Sequence, residues 1–444
     1  MEKNDIILIH GTNYKVMAKK VMEAANVAED IGDKKKKIAL KPNLVTAKAP
    51  SSGATTHSEL LAGVIEYLQE HGFENITIME GSWVGDRTGE AFRAAGYDMV
   101  CARYHVPFVD LQRDTWKEYD AAGMKIKLCD QAASVDYMIN MPVLKGHCQT
   151  TVTCALKNNK GVIPNQEKRH FHTMGLHKPI AHLNTIARND FILVDNICGD
   201  LDFEEGGNPV VMNRVLGFKD PVLCDAFVCD SMGYSIQDVP YIPLAEKLGV
   251  GSTDTAHANM IYLNQPDQAG VKFRMTHRVQ KLAAYTEPKD ACSACYGSLI
   301  YALDRLNDAG YLRRGLPSVA IGQGYQNQPD GCAKIGVGRC TKCCNKSLGG
   351  CPPKAADIVE FLKENPVQYL ATVGRDGKAK CRPFMFIGEM EGKLWFCTNN
   401  TKDVYKDMLA NPEIEISTSS PSYAWIRLNG KAVFENNMAA KEMC

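Results

Sequence analysis

Cysteines crowd one segment of this sequence. Seven of the 17 cysteines fall between Cys292 and Cys351, and the segment opens with Cys292-Ser-Ala-Cys295 and closes with Gly350-Cys351-Pro352-Pro353. Thiolate sulfur binds zinc and iron–sulfur clusters, and a cysteine followed by proline recurs as the last ligand of iron–sulfur runs. Cysteines on loops at strand ends can converge on one point, as such a site requires. The other cysteines of the segment are Cys332, Cys340, Cys343 and Cys344.

Three interpretations of this cysteine segment compete. The cysteines are unrelated thiols, or they form a structural zinc site from the pairs Cys292/Cys295 and Cys340/Cys343, or they hold an iron–sulfur cluster. Free cysteines do not usually crowd in this way. The gap between the two pairs also exceeds the common zinc spacings. The segment therefore favours an iron–sulfur cluster.

A resemblance sharpens this interpretation. Gly336-Val-Gly-Arg-Cys340, followed by Gly350-Cys351-Pro-Pro and a helical pattern, resembles the cluster-bearing small subunit of respiratory NADH:quinone oxidoreductases. The resemblance implies a 4Fe–4S cluster, although the first pair is Cys-x-x-Cys here and adjacent cysteines in that family. Cys332, Cys343 and Cys344 are spare under this assignment. The ligands that the resemblance implies are Cys292, Cys295, Cys340 and Cys351.

Composition excludes several classes of partner. The 444 residues predict two or three domains, and 45% hydrophobic with 23% charged residues is typical of a globular protein. The formal net charge is zero, which gives no support for a nucleic-acid or membrane partner. No signal-peptide core opens the sequence, and no apolar stretch approaches the roughly 20 residues of a membrane helix. A cysteine-rich chain of this kind is expected in the reducing cytoplasm.

The first part of the chain predicts an α/β domain with a largely parallel sheet, because strand and helix signals alternate. Thr56-x-x-Glu59 has the form of a capping box ahead of a helical pattern. The predicted domains are residues 1–275, a cysteine-rich cluster region at 276–363, and a small antiparallel split β-barrel at 364–444. The predicted strands of the first domain are Ile6–Ile9, Ile38–Leu40, Ile76–Met79, Tyr137–Ile139 and Phe191–Val194.

Polar side chains follow each of these apolar runs. In open α/β sheets, ligands bind beyond the carboxyl ends of the strands, which predicts a site there. The alternative is that polar residues follow strands because loops are solvated. The residues in question are Lys41, Asn43, Glu80, Asn140, Lys145 and Asp195.

The densest polar segment runs from Lys145 to Gly161. Its lysines, amides and hydroxyls cannot all be buried unpaired, and they suit a phosphate or carboxylate. His147 is a candidate proton donor or a structural histidine. Neither a Rossmann fingerprint nor a P-loop occurs. The predicted catalytic residues are Lys145, His147 and Lys157, and the predicted substrate-binding residues are Lys41, Asn43, Asn158 and Asp195.

Four motifs in order resemble the domain-of-unknown-function 362 family. The resemblance covers about residues 1 to 355, including the cysteine segment. It indicates the fold of this part of the chain, whereas it does not indicate which reaction the protein catalyses. The loop 202–209 departs from the expected glycine-rich form. The motifs are Lys41-Pro-Asn43, Met141-Pro-x-x-Lys145-x-His147, Thr153-x-Ala-x-Lys157-Asn158-x-x-Gly161 and Asp220-Pro-x-x-x-Asp225-Ala226.

The last part of the chain predicts short antiparallel strands with one helix, Asp403 to Leu409. It resembles the pyridoxamine 5'-phosphate oxidase-like split barrel, which implies FMN and a homodimer through the barrel. Arg382, Thr398 and Lys402 match the positions that hold the flavin phosphate. A helix and a final strand of the family are not found after Phe434, and a barrel that has lost its flavin is the alternative.

Taken together, these features predict an iron–sulfur flavoprotein oxidoreductase that acts on a small anionic substrate and exchanges electrons with a redox partner protein. A non-catalytic electron carrier or assembly protein is the first alternative. A zinc-stabilised module that binds a metabolite is the second.

Overall fold

The protein is described from a computed structural model. It describes residues 1–265, 278–312, 318–326, 335–363, 368–384, 386–390, 393–396, 398–419 and 425–435. The chain divides into two compact units, Met1–His277 and Arg278–Cys444.

The first unit is an α/β domain. Its helices are α1 (Tyr14–Ala24), α2 (Val27–Ile31), α3 (Ser58–Glu70), α4 (Thr88–Ala94), α5 (Tyr97–Tyr104), α6 (Asp130–Ala133), α7 (Ala155–Asn158), α8 (Asn165–Met174), α9 (His177–Leu183), α10 (Pro221–Ser231) and α11 (Tyr241–Lys247). Its strands are β1 (Asp5–His10), β2 (Ile38–Pro42), β3 (Ile76–Glu80), β4 (Phe108–Asp110), β5 (Trp116–Ala121), β6 (Met124–Cys129), β7 (Tyr137–Met141), β8 (Lys145–His147), β9 (Thr151–Thr153), β10 (Phe191–Asp200), β11 (Pro209–Phe218) and β12 (Asn259–Tyr262).

Eight of these strands form one sheet in the order β12-β1-β11-β10-β7-β2-β3-β4. Only β11 runs antiparallel to its neighbours, so the prediction of a largely parallel sheet is confirmed. The strands β2 and β7 pair in register with Lys41 opposite Asn140. The carboxyl ends of β2, β3, β7 and β10 consequently lie along the same edge of the sheet.

The core of this unit has two layers, one on each face of the sheet. Ile6 and Leu8 pack in one layer, whereas Ile7 and Ile9 pack in the other. Successive side chains of a strand point to opposite faces, so a strand that is apolar at every position must be covered on both sides. This requirement explains the apolar runs of the sequence.

The helix predicted after Thr56 is α3, but the predicted capping box is wrong. The cap position is His57, and no side chain caps the helix. The hydroxyl of Thr56 instead donates to the Met141 carbonyl oxygen at 2.8 Å and accepts from the Asn43 amide at 2.9 Å. A tertiary contact between strand ends therefore replaces the local contact that the spacing indicated.

The second unit contains a parallel sheet followed by antiparallel sheets. The first has the order β13-β14-β15-β16, and the others are β18-β17-β21-β22 and the pair β19-β20. This arrangement confirms the predicted fold class. Its elements are β13 (Thr286–Pro288), β14 (Val319–Ile321), β15 (Ile335–Val337), β16 (Lys346–Leu348), β17 (Gln368–Val373), β18 (Ala379–Phe384), β19 (Phe386–Met390), β20 (Lys393–Phe396), β21 (Glu413–Ser419), β22 (Trp425–Lys431), α12 (Arg278–Ala283), α13 (Ser293–Asp308), α14 (Ala355–Lys363) and α15 (Asp403–Ala410).

The helices were compared with the length and hydropathy of a membrane-spanning helix. Within those residues, no helix combines the length and the apolar character that crossing a membrane requires.

Candidate functional site

The cysteine ligands predicted from the sequence lie at the carboxyl ends of the short parallel sheet. Each strand from β13 to β16 pairs parallel with the next, so their carboxyl ends share one edge. Cys292 follows β13, Cys340 follows β15 and Cys351 follows β16, while Cys295 lies in the first turn of α13. A parallel sheet thus positions cysteines that are far apart in sequence.

The sulfurs of these four cysteines are electrostatic neighbours. Burial and, after it, the nearby Cys292, Cys351 and Cys340 thiols raise the pKa of the Cys295 thiol to about 12. Burial also raises the pKa of Cys292, with Cys340 and Cys351 adding to the effect. Each thiolate disfavours ionisation of the next, because like charges repel. All four can be thiolates at once only if a cationic group lies between them.

The turns that carry the cysteines are held by backbone hydrogen bonds. The Arg339 amide donates to the Gly350 carbonyl oxygen at 2.8 Å, which joins the loops of Cys340 and Cys351. Gly322 ends β14 with φ of 123°. A Cβ atom there would lie 1.9 Å from the Lys289 carbonyl oxygen, so only glycine fits this turn.

Two amide side chains donate to the sulfurs. Gln323 Nε2 lies 3.2 Å from Cys292 Sγ, and Gln326 Nε2 lies 3.0 Å from Cys340 Sγ. Cys292 is also the cap residue of α13, where the amide groups of the helix start favour negative charge. Hydrogen bonds to ligand sulfur stabilise thiolates and tune the potential of a cluster.

The spare cysteines are placed differently. Cys343 Sγ donates to the Tyr325 carbonyl oxygen at 3.2 Å, and Cys344 is disulfide-bonded. Cys332 lies outside the described residues.

The four candidate ligands are all cysteines, and this donor set limits which group they could hold. Four thiolates suit a 4Fe–4S cluster, and they also suit one tetrahedral zinc ion. The chemistry of the donor set therefore fits both groups, and iron, sulfide and zinc analysis distinguishes them.

A second candidate site is a cleft at the carboxyl edge of the large sheet. Three predicted residues line it, namely Asn43, Lys157 and Asn158. Gly161 forms part of its wall, and a Cβ atom there would lie 1.8 Å from Glu80 Oε1, so a larger residue would have to displace the Glu80 side chain. The other residues that line the cleft are Val45, Glu80, Gly81, Trp83, Val84, Thr153, Lys160, Lys168, His172 and Glu204.

Lys41 and Lys145 lie fully buried beneath this cleft. Lys41 Nζ pairs with Glu80 Oε2 at 2.6 Å. Lys145 Nζ donates to the Ala54 carbonyl oxygen at 2.5 Å and to Asn43 Oδ1 at 3.2 Å. Burial lowers the pKa of Lys145 to about 7. These two lysines hold the floor of the cleft and do not line it.

His147 and Lys157 both contact Glu204. His147 Nδ1 accepts hydrogen bonds from the amides of Gln149 and Thr150, each at 3.0 Å. The proton of the neutral ring is therefore on Nε2, which lies 3.2 Å from Glu204 Oε1. Lys157 Nζ pairs with the other carboxylate oxygen of Glu204. Burial lowers the pKa of His147 to about 4, so the ring is neutral at pH 7.

The cleft also contains basic residues that were not among the predicted catalytic or substrate-binding residues. Burial, with help from the Lys157 charge, lowers the pKa of Lys160 to about 7. Burial lowers that of Lys168 to about 8. Lys160 Nζ lies 3.4 Å from His172 Nε2. Lys168 and His172 are four residues apart on α8, so helical spacing was the signal that placed both on one face.

Asp195 does not reach the cleft, although it was predicted to bind substrate there. It is fully buried, and its Oδ2 lies 2.8 Å from Nδ1 of His57.

The three predicted flavin residues lie on the antiparallel part of the second unit. Arg382 on β18 donates to Thr372 Oγ1 at 3.0 Å and to Asp407 Oδ2 at 2.7 Å. Lys402 is the cap residue of α15, which confirms that the predicted helix begins there. Thr398 Oγ1 is buried and has no hydrogen-bond partner within the described residues. A buried hydroxyl of this kind fits the phosphate-binding role that the resemblance implies for Thr398.

Comparison with known proteins gives two family matches. Residues 38–230 match the model described as "Domain of unknown function (DUF362)", and residues 355–444 match the one described as "Pyridoxamine 5'-phosphate oxidase". The resemblances to these two families are thereby confirmed. The resemblance of the cysteine segment to the respiratory small subunit, and the cluster it implies, stay predictions. A thylakoid-associated protein of Synechocystis sp. is 24% identical over 228 residues, which are 49% of this chain and 69% of that protein.

Two solved structures are similar over part of the chain. A NimC/NimA family protein from Clostridium acetobutylicum is 41% identical over 20% of this chain and 61% of its own, with a TM-score of 0.17. The lactate racemase apoprotein from Thermoanaerobacterium thermosaccharolyticum is 15% identical over 52% of this chain and 58% of its own, with a TM-score of 0.33. The chain thus spans less than two thirds of either structure, and neither likeness carries a functional argument.

Proposed function

Because this chain joins a domain of the DUF362 family to a pyridoxamine 5'-phosphate oxidase-like domain, we propose that it is an iron–sulfur flavoprotein oxidoreductase acting on a small anionic substrate. The second family supports a flavin-related role. A cytoplasmic location and a redox partner protein belong to the same proposal, since cluster thiolates persist in a reducing compartment.

The observation that carries the proposal is the grouping of four cysteine sulfurs at one sheet edge. A 4Fe–4S cluster bound by Cys292, Cys295, Cys340 and Cys351 would supply one-electron transfer. Gln323 and Gln326 would donate to two of its ligand sulfurs. The helix start at Cys292 would favour the net negative charge of the ligand set.

Chemical analysis of the protein tests this proposal. Anaerobically purified full-length chain should be brown, with about four irons and four sulfides per chain, as a 4Fe–4S assignment requires. Stoichiometric zinc with no sulfide would overturn the cluster and leave the zinc-stabilised module. Flavin in the same sample, reduced together with the cluster in a dithionite titration, would support the flavoprotein part.

The cleft supports an anionic substrate. Lys157, Lys160 and Lys168 line it, and the buried Thr153 hydroxyl there has no partner within the described residues. Trp83 and Val84 supply the apolar wall. A carboxylate or phosphate would replace the water lost by these cations and accept from the hydroxyl. Lys160, with a pKa of about 7, is suited to give or take a proton at Nζ near neutral pH.

Two variants with opposite expected effects on phosphate affinity test this anion site. Lys157→Met removes a cation and should weaken binding of inorganic phosphate about tenfold or more, as loss of a charge-assisted contact does. Glu204→Gln removes the carboxylate that competes for Lys157, so it should strengthen binding. Isothermal calorimetry gives both affinities, and Lys117→Met, on an exposed face, is the matched control.

The same titration has an expected pH dependence. Lys160 is cationic below its pKa of about 7 and neutral above it. Anion affinity should therefore fall as the pH rises from 6 to 9, and binding should take up protons near pH 7. An affinity that is the same in the Lys157 and Glu204 variants, or that rises with pH, would contradict the anion cleft without touching the cluster assignment.

Flavin binding is a separate expectation. Thr398→Val removes the orphaned hydroxyl and should weaken FMN about tenfold, which is the effect of losing one hydrogen bond to a charged group. Arg382→Met should weaken it as well, and Lys431→Met on the exposed side of β22 should not. Fluorescence titration gives the affinities, and light scattering shows whether FMN stabilises the proposed homodimer through the barrel. A wild-type chain that does not bind FMN would make the barrel a structural part only.

A further inference from the structure

A cysteine, a histidine and an aspartate form a relay in the first unit, outside the cleft. Asp195 and Cys198 lie on β10, and His57 precedes α3. His57 Nδ1 lies 2.8 Å from Asp195 Oδ2, whereas its Nε2 lies 3.9 Å from Cys198 Sγ. None of the three lines the cleft or belongs to the cysteine segment.

The geometry orients the imidazole ring. The backbone amide of His57 also donates to Asp195 Oδ2, at 2.7 Å, so the carboxylate holds the residue at two points. The Nδ1 proton is therefore directed to Asp195, and Nε2 faces the sulfur. Burial alone would lower the pKa of His57, but the Asp195 carboxylate overrides it and raises the pKa to about 10. The ring is thus cationic near neutral pH.

Few other polar groups lie near the Cys198 sulfur among the described residues. Cys198 Sγ lies 3.4 Å from the Pro50 carbonyl oxygen. Tyr14, from α1, packs its ring edge-on to His57 at 5.5 Å, and its own hydroxyl donates to Asn213. The titratable groups that face Cys198 are His57, Asp195 and Tyr14. Cys198 and His57 are buried, with 5% and 8% of their surface exposed.

We propose that Cys198 is a nucleophilic thiol activated by His57, with Asp195 as the positioning residue, and that it exchanges with low-molecular-weight disulfides. A thiolate beside an imidazolium is the arrangement that makes cysteines reactive. Thiol–disulfide exchange needs this pair and no further donor for a developing oxyanion.

The reaction balances with groups that the site contains. In the proposed thiolate–imidazolium pair, the Cys198 sulfur attacks one sulfur of the disulfide, and His57 Nε2 gives its proton to the leaving sulfur. One sulfur–sulfur bond forms and one breaks, giving a mixed disulfide on Cys198 and one free small thiol. The small disulfide is the oxidant, so no other co-reactant is required.

Peptide mass spectrometry of the reduced full chain, treated with glutathione disulfide, tests this proposal. Cys101 is the internal reference, since burial raises the pKa of its thiol to about 11. At pH 7 Cys198 should form the mixed disulfide at least about tenfold faster than Cys101, because His57 lies beside its sulfur and assists the attack. Cys198→Ser should lose that adduct alone.

The dependence of the exchange rate on pH shows whether His57 activates the Cys198 thiol or only packs against it. The ratio of the Cys198 rate to the Cys101 rate should be largest in wild type near neutral pH, whereas in His57→Gln the Cys198 rate should be slow at pH 7 and climb with pH. Asp195→Asn should shift the profile toward that of the His57 variant. A wild-type rate that climbs to alkaline pH as Cys101 does, or a Cys198 that never reacts, would overturn the proposal. The wild-type profile decides this even if a variant fails to fold.

Discussion

Replacing Cys340 or Cys351 by serine should bleach the protein and remove most of its iron and sulfide. A serine hydroxyl is a poor substitute for a thiolate, and the loss of one of four ligands exposes an iron. Both residues follow strands of the parallel sheet, and their loops are joined by the Arg339–Gly350 hydrogen bond, so the rest of the site is expected to persist. Visible absorption and iron and sulfide assays on anaerobic samples measure the effect.

Matched controls exist among the other cysteines. Cys343→Ser removes a sulfur that donates to the Tyr325 carbonyl oxygen, and Cys381→Ser removes an exposed one. Neither should change the iron content. Full iron in both the Cys340 and Cys351 variants would contradict the ligand assignment. Loss of iron in the Cys343 variant would instead favour the pairing of Cys340 with Cys343.

Replacing Lys41 by methionine should destabilise the first unit by about 3–5 kcal/mol, the usual effect of removing one partner of a buried ion pair. The side chains of Lys41 and Glu80 are 0% and 4% exposed, and their charged atoms lie 2.6 Å apart. The variant leaves the Glu80 carboxylate buried with its main cation gone. Urea unfolding followed by circular dichroism measures the change in free energy of unfolding.

Two further variants make this test specific. Lys15→Met breaks a partly exposed pair with Glu66 and should cost about 1 kcal/mol or less. Adding Glu80→Leu to Lys41→Met should recover part of the lost stability, because no unpaired charge then remains. A Lys41 variant as stable as the Lys15 variant would mean that the pair is not a structural support of the cleft.

The positions of polar residues after predicted strands indicated which edge of the sheet holds the candidate cleft. They did not indicate which of those residues line it. The apolar runs that became β2, β3, β7 and β10 could be read from sequence, because a strand covered on both faces must be apolar throughout. Their polar followers, including Lys41 and Glu80, do lie at the carboxyl edge. Asp195 shares that edge, yet its partner is His57. A strand position gives the edge of the sheet, whereas the direction of a side chain depends on its neighbours.

The four proposed cluster ligands came from motif resemblance, and a plausible zinc pairing remained open. The structure groups the sulfurs of Cys340 and Cys351 with the first pair, because β15 and β16 are adjacent parallel strands. The glutamine amides that donate to sulfur carry no motif. They become neighbours of the cysteines only when the strand order is known.

The sequence by itself determined the two family resemblances, the α/β and antiparallel fold class and the segments proposed to carry the chemistry, since these depend on local pattern and order along the chain. The tertiary structure decided which charges meet. Glu204 comes from the loop 202–209, which departs from the expected glycine-rich form, yet it pairs with His147 and Lys157. Lys160, Lys168 and His172 join them in the cleft. Contacts of this kind depend on how loops from separate strands converge, and residue spacing along the chain does not specify that convergence.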